Sequence, residues 1–252
     1  MRCIFFGSSP LVGEIVNKTI KITLVAIESS AFSKEIMNFA HFIGAPLVVL
    51  EDVDQVLEHI YYEDIGVSYG FGMKFTRSVI ESFPKGILNI HTGDLPKYRS
   101  RHPVSWAMIN GDNQIGVTIH KVDEAIDCGF LVHKYHIERS FLDDLNSIQA
   151  KIENALVEEF PKAIENLDKI SKIKLDTGTY FQRIDKVFNQ VDPEKITAKE
   201  LYSLFMSQKI YGGVSVHGNK KLECHIFNKE FSSYYDGYEI YKCNDGVLVA
   251  IR

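Results

Sequence analysis

The stretch Asn89-Ile-His91-Thr92-Gly-Asp-Leu-Pro96-Lys-Tyr98-Arg99 sets an amide and an imidazole two residues apart. It follows Gly86-Ile-Leu88, which reads as the end of a strand, so both side chains point to one side of the sheet. An amide and an imidazole held side by side can hydrogen-bond a developing oxyanion and move a proton, a pairing that suits acyl transfer. Downstream, Gly116-Val-Thr118-Ile-His120-Lys-Val-Asp123-Glu-Ala-Ile126-Asp127-Cys-Gly129 reads as a short strand running into an acidic turn. Asp127 is too far along for a local contact with His91. The spacing suits one helix and one strand returning the chain to the same sheet end, where a buried carboxylate can orient the ring and stabilise its charged form.

The elements that must position these groups alternate along the chain. Met1 to Phe6 reads as a buried strand, followed by the loop Gly7-Ser8-Ser9-Pro10 and a helix with Leu11, Ile15 and Val16. That opening suits a doubly wound sheet, although the loop lacks Gly-x-Gly-x-x-Gly. It is either a plain strand-to-helix turn or the lining of a substrate cleft. Strands follow at Ile20–Ile27, Leu47–Leu50 and Ile65–Tyr69, with helices at Phe32–Ile43, Val53–Ile60 and Thr76–Phe83. The fold class is therefore α/β, Rossmann-like, with a mostly parallel sheet and right-handed crossovers. Pro103–Asn110 predicts an amphipathic helix with Trp106 as a packing residue, and Gln114–Val122 a strand with Thr118 and His120 on one face. Phe130–Ile137 is another strand, and Asn146–Ile170 a long helix that Pro161 should kink.

From Ile173 the texture changes to short polar turns. Thr197 and Glu200 form a capping-box pattern ahead of a helix, and Asp245-Gly246 separates two alternating runs, a strong hairpin signal. The expected organisation is a catalytic domain over 1–180 and a small helix-plus-hairpin subdomain over 181–252. Its open strand edges suggest a homodimer, since unpaired edges are usually covered.

A chain of 252 residues with 45% hydrophobic and 24% charged residues is ordinary globular material. Its net charge of −5 argues against a general nucleic-acid binder. Cys3, Cys128, Cys224 and Cys243 show no metal or disulfide spacing, which fits a reducing cytoplasm. The apolar start is too short for a signal segment, and no run approaches a membrane span, so a cytoplasmic protein without membrane contact is expected. No metal-ligand cluster is present in the sequence.

Asn-x-His, then Leu-Pro-x-Tyr-Arg, then Gly-Val-Thr-x-His with Asp-x-Gly, in this order and spacing over roughly residues 1 to 180, resembles the 10-formyltetrahydrofolate-dependent formyltransferase family. The resemblance carries the family's catalytic Asn, His and Asp onto Asn89, His91 and Asp127. It implies 10-formyltetrahydrofolate as co-substrate, with Phe71, Gly72, Met73, Phe75, Asp123 and Ile126 at the pterin, whereas the residues of Tyr69–Phe75 by themselves read equally as a strand end followed by core aromatics. Gly7, Ser8, Ser9, Lys74, Thr92, Tyr98, Arg99, Arg101, Thr118 and His120 fall on the acceptor side. Lys97, Arg99 and Arg101 make the polar loop from Asp94 to His102 basic, which reads either as ordinary surface charge or as a phosphate or nucleotide contact.

Family acceptors include aminoacylated initiator tRNA, glycinamide ribonucleotide and nucleotide-linked amino sugars. The acidic chain and its short β-rich tail resemble the sugar N-formyltransferases of surface-polysaccharide (lipopolysaccharide O-antigen) synthesis. A glycinamide ribonucleotide or other small-amine transferase is the runner-up. A formyltetrahydrofolate hydrolase and a non-catalytic folate or nucleotide-sugar binding module stand further off. The chain departs from the sugar-enzyme pattern at Val191-Asp-Pro193, at Ser100 after Tyr-Arg, and at Gly93-Asp94.

Overall fold

A computed structural model describes residues 1–169, 173–182, 184, 190–227 and 234–252. The first strands are β1 Arg2–Phe6, β2 Lys21–Glu28, β3 Leu47–Leu50, β4 Ile65–Ser68 and β5 Ile87–His91. With β6 Gln114–Val122 and β7 Gly129–Glu138 they form a seven-stranded sheet of order β3-β2-β1-β4-β5-β6-β7. β1 to β5 run parallel, and β6 is antiparallel to β5. The expected mostly parallel, doubly wound sheet is the one found. Its central strands are apolar on both faces, as strands covered on both sides must be.

The flanking helices begin where the sequence offers caps. α1 spans Pro10–Thr19, with Ser9 accepting from the Val12 amide, and α2 spans Lys34–Phe42, with Ser33 capping Ile36. The periodic pattern places the start of α2 at Phe32, but that side chain lies outside the helix and is 52% exposed, because Ser33 takes the cap position. The Val53–His59 segment is a 3-10 helix held by the Asp52–Gln55 capping box. α3 is short, Arg77–Glu81, and α4 spans Pro103–Ile109. α5, Leu145–Asn166, runs through Pro161 and buries Ile148, Ile152, Leu156, Phe160 and Ala163. Ile170, the predicted end of that helix, lies outside the described residues.

The chain divides into two compact units. Residues 1–99, 116–137 and 151–179 form the first, and 100–115, 138–150 and 180–252 the second. Alongside the break near 180, two inner stretches thus group with the C-terminal residues. Within the second unit, α6 (Ala198–Gln208) has both halves of the Thr197–Glu200 capping box and packs on α4. Two small antiparallel sheets accompany it. β8 Val214–Val216 pairs with β9 Asn219–Lys221, and β10 Cys224–Phe227 and β11 Glu239–Lys242 flank β12 Leu248–Ile251. Asp245-Gly246 turns β11 into β12, with Gly246 N bonded to the Cys243 carbonyl at 2.9 Å. Leu201, Phe205, Val214, Val249 and Ile251 fill this unit's core. Trp106 packs on Phe181 and also donates its indole N–H to the Gln182 carbonyl at 2.9 Å. Among the described residues no helix is long and apolar enough to cross a membrane.

Candidate active site

Alternation along β5 turns Leu88 and Ile90 to one face and Asn89 and His91 to the other. The antiparallel register with β6 sets Asn89 opposite His120 and His91 opposite Thr118. Four polar side chains therefore meet across two adjacent strands of the first unit. Asn89 Nδ2 lies 3.2 Å from His120 Nε2. An amide nitrogen can only donate, so His120 Nε2 accepts, and its Nδ1 carries the hydrogen that points 3.3 Å to the Lys121 carbonyl. This neutral ring suits its surroundings, because burial, and then the charge of His91, push its pKa down to about 4. An amide nitrogen has a second hydrogen, which can serve as a donor to another acceptor.

His91 is fixed from its other side. Its Nε2 is 2.8 Å from the Tyr98 carbonyl, so this nitrogen is the donor and, in the neutral ring, Nδ1 carries the lone pair. Nδ1 faces Asp127 Oδ1 at 3.4 Å, and the two side chains are only 6% and 10% exposed. Once protonated, the ring can donate to the Tyr98 carbonyl and to the carboxylate at the same time. Asp127 reaches this place through a turn with an uncommon backbone, φ +53°, a left-handed conformation that Asp and Asn tolerate better than other L-residues. Gly129 permits the turn: a Cβ there would lie 1.9 Å from the Lys121 carbonyl oxygen.

The remaining expected residues divide. Arg99 Nη2 donates to the Ile126 carbonyl at 2.9 Å and ties the loop after β5 to the Asp127 turn. Its Nε is buried with no hydrogen-bond partner among the described residues. Tyr98 serves the site through its carbonyl, for its side chain is 1% exposed. Thr118 accepts from the Leu95 amide and donates to the Gly93 carbonyl, fastening the same loop. Thr92 is half-buried between His91 and Gly93, Asp123 Oδ1 accepts from the Glu124 amide, and the Ile126 side chain is exposed.

Phe75 is a core residue, its ring edge on Phe6, whereas Phe71 and Met73 stay part-exposed over the same cluster. Phe71 and Met73 therefore leave apolar surface partly exposed beside that cluster. Gly72 gives its amide to Glu28, and Lys74 is exposed. Gly7 is a close-packing position: a Cβ would lie 2.4 Å from the Tyr69 carbonyl oxygen. Ser8 is half-buried, and Ser9 caps α1 and donates to Glu153, which also accepts from the Tyr69 hydroxyl, each at 3.4 Å. Arg101 is exposed and belongs to the second unit.

Sequence reasoning missed Glu153, whose helix periodicity hides its inward polar contact. It also missed Lys134, although the polar run His133-Lys-Tyr-His136 inside a strand was a signal. Among the described residues no group of three or more His, Cys, Asp or Glu is set to hold a metal ion.

Residues 29–164 match the model of the family described as formyl transferase, more than half of the chain. The chain belongs to the formyl transferase family. Among curated relatives of this family member, a methionyl-tRNA formyltransferase of Caldicellulosiruptor saccharolyticus is 28% identical over 178 residues, 69% of this chain and 57% of the relative. The family member thus spans little more than half the length of that relative. In fold it resembles an N-formyltransferase from Helicobacter canadensis solved with folinic acid and dTDP-3-aminofucose. The TM-score is 0.75 at 19% identity, covering 100% of this chain and 98% of the other. A phosphoribosylglycinamide formyltransferase from Bacillus halodurans matches with TM-score 0.58 at 20% identity, over 66% of this chain and 95% of its own.

Proposed function

We propose that the protein moves the formyl group of 10-formyltetrahydrofolate to the amine of a nucleotide-linked amino sugar in surface-polysaccharide synthesis. The observation that carries the reaction class is the meeting of Asn89, His91 and Asp127 at one sheet end, with the His91 ring pinned by the Tyr98 carbonyl. The folate supplies an activated formyl carbon. Asn89, oriented by neutral His120, offers its second N–H to the negative charge that develops on the formyl oxygen. His91 Nδ1 takes the proton from the attacking amine, and Asp127 and the Tyr98 carbonyl hold the imidazolium so formed. A new bond joins the acceptor nitrogen to the formyl carbon as the bond to folate N10 breaks. The proton passes to N10, leaving a formamide and tetrahydrofolate. Phe71 and Met73 would cover the pterin.

The acceptor class is supported by the likeness to the Helicobacter canadensis enzyme over the whole chain, C-terminal unit included, where the likeness to the phosphoribosylglycinamide enzyme stops at two thirds. Glu153 beside Ser9 at the start of α1 also favours a hydroxyl or amine there over a phosphate. The test is incubation with 10-formyltetrahydrofolate and a panel of dTDP-, UDP- and GDP-linked amino sugars with glycinamide ribonucleotide, read by mass spectrometry. One formylated nucleotide sugar is expected. Folate turnover without a formylated acceptor would mean a hydrolase instead.

A further inference from the structure

The loop after β5 carries an acidic residue, Asp94, whose partner comes from β7. Lys134 Nζ lies 2.7 Å from Asp94 Oδ1 and also donates to the Leu95 carbonyl. Both side chains are part-buried, at 25% and 34% exposed, so the charges are screened somewhat less than on an open surface. His136 Nε2 stands 3.9 Å from the other Asp94 oxygen. Asp94 is seated against β6 at Gly116, where an added Cβ would fall 2.6 Å from the Asp94 Cβ. The Asp94 carbonyl accepts from the Tyr98 amide at 3.0 Å, and Tyr98 is the residue whose own carbonyl holds His91 Nε2. An unbroken path of hydrogen bonds therefore runs from Lys134 through Asp94 and Tyr98 to the His91 ring.

We propose that the Lys134–Asp94 pair is a positioning device that holds the loop over 93–98 so that the Tyr98 carbonyl keeps His91 in its Nε2–H tautomer, with Nδ1 free to accept a proton. An ammonium suits the task because it has three donors, enough for a carboxylate and a carbonyl together. Without it the Leu95 carbonyl loses this donor and the part-buried Asp94 carboxylate loses its ammonium partner, so the loop relaxes and His91 Nε2 loses its acceptor. The kinetic consequence rests on the proposed role of His91; the tautomer itself does not.

The test uses the full chain labelled with 15N in histidine, with long-range 1H–15N correlation spectra of the wild type, Lys134→Met, Lys134→Arg and Asp94→Asn. The His91 signals are assigned by their loss in His91→Gln. The wild type is expected to show a single Nε2–H ring at pH 8, Lys134→Met and Asp94→Asn a shift toward the Nδ1–H form, and Lys134→Arg recovery. With the nucleotide sugar found by the panel, kcat in Lys134→Met should fall on the order of tenfold to a hundredfold with KM nearly unchanged. Asp94→Asn breaks the pair from its other side and serves if Lys134→Met does not fold. An unchanged His91 tautomer in the variants overturns the proposal, even if turnover falls. A shifted tautomer in a protein that formylates nothing would sustain the device and overturn the reading of the reaction.

Discussion

Asn89 and His120 face each other directly across the β5–β6 ladder, 3.2 Å apart, with the histidine as acceptor. An amide held this way cannot flip, so its free N–H keeps one direction. Removing the acceptor while preserving ring volume, as in His120→Phe, is expected to lower kcat on the order of tenfold to a hundredfold. His120→Gln, which can still accept, should recover part of it, and Asn89→Ala should lose on the order of a hundredfold or more. Steady-state kinetics on the three variants checks the order of effects. Near wild-type turnover in Asn89→Ala would remove the oxyanion role.

The same burial makes His120 a pH-sensitive element of stability. Unfolded, the ring takes a proton below about 6.5; folded, it resists until about 4. Between those values the unfolded state binds more protons, so stability falls as pH drops through this window. The contribution of this one group is on the order of 3 kcal/mol when complete. Urea unfolding midpoints at pH 4.5 and pH 7 should differ more in the wild type than in His120→Gln.

Asp127→Asn tests orientation without disturbing the turn, because Asn accepts the left-handed backbone that Asp127 adopts. The variant should keep its circular dichroism and melting behaviour but lose kcat on the order of a hundredfold or more, since the imidazolium loses its countercharge. A variant within twofold of wild type would mean that the carboxylate does not serve His91.

Two neighbouring phenylalanines should behave in opposite ways. Phe75→Ala removes a ring buried against Phe6 and should cost about 3–5 kcal/mol of stability. Phe71→Ala removes a part-exposed ring and should chiefly raise KM for the folate. Thermal melts paired with folate titrations separate the two effects, and a Phe71 variant with unchanged KM would take that residue out of the pterin surface.

In the second unit, Thr197→Ala breaks both halves of the capping box on α6 and should cost about 1 kcal/mol. Thr197→Ser should retain most of it. Comparison of the two denaturation midpoints is the check.

Much of this was legible in the chain because it depends on local periodicity. Asn89 and His91 share a face because a strand alternates, the Thr197–Glu200 box forms because its hydrogen bonds are made within one helical turn, and Asp245-Gly246 turns because glycine admits positive φ. The motif order alone also pointed to the family to which the chain belongs. Periodicity carries neither strand direction nor register. That β6 runs antiparallel to β5, with His120 at Asn89 and Thr118 at His91, is decided by the pairing of distant segments.

The sequence by itself determined which elements carry the amide, imidazole and carboxylate side chains of the candidate site, because side-chain type and local backbone preference are properties of a few consecutive residues. Only the tertiary structure decided how those side chains are held. The Tyr98 carbonyl on His91, the neutral His120 behind Asn89 and the Lys134–Asp94 pair beneath the loop each depend on a hydrogen bond fixed by three-dimensional packing. A carbonyl has no signature in residue type, and a histidine's protonation follows its burial, so neither could be read before the chain was folded.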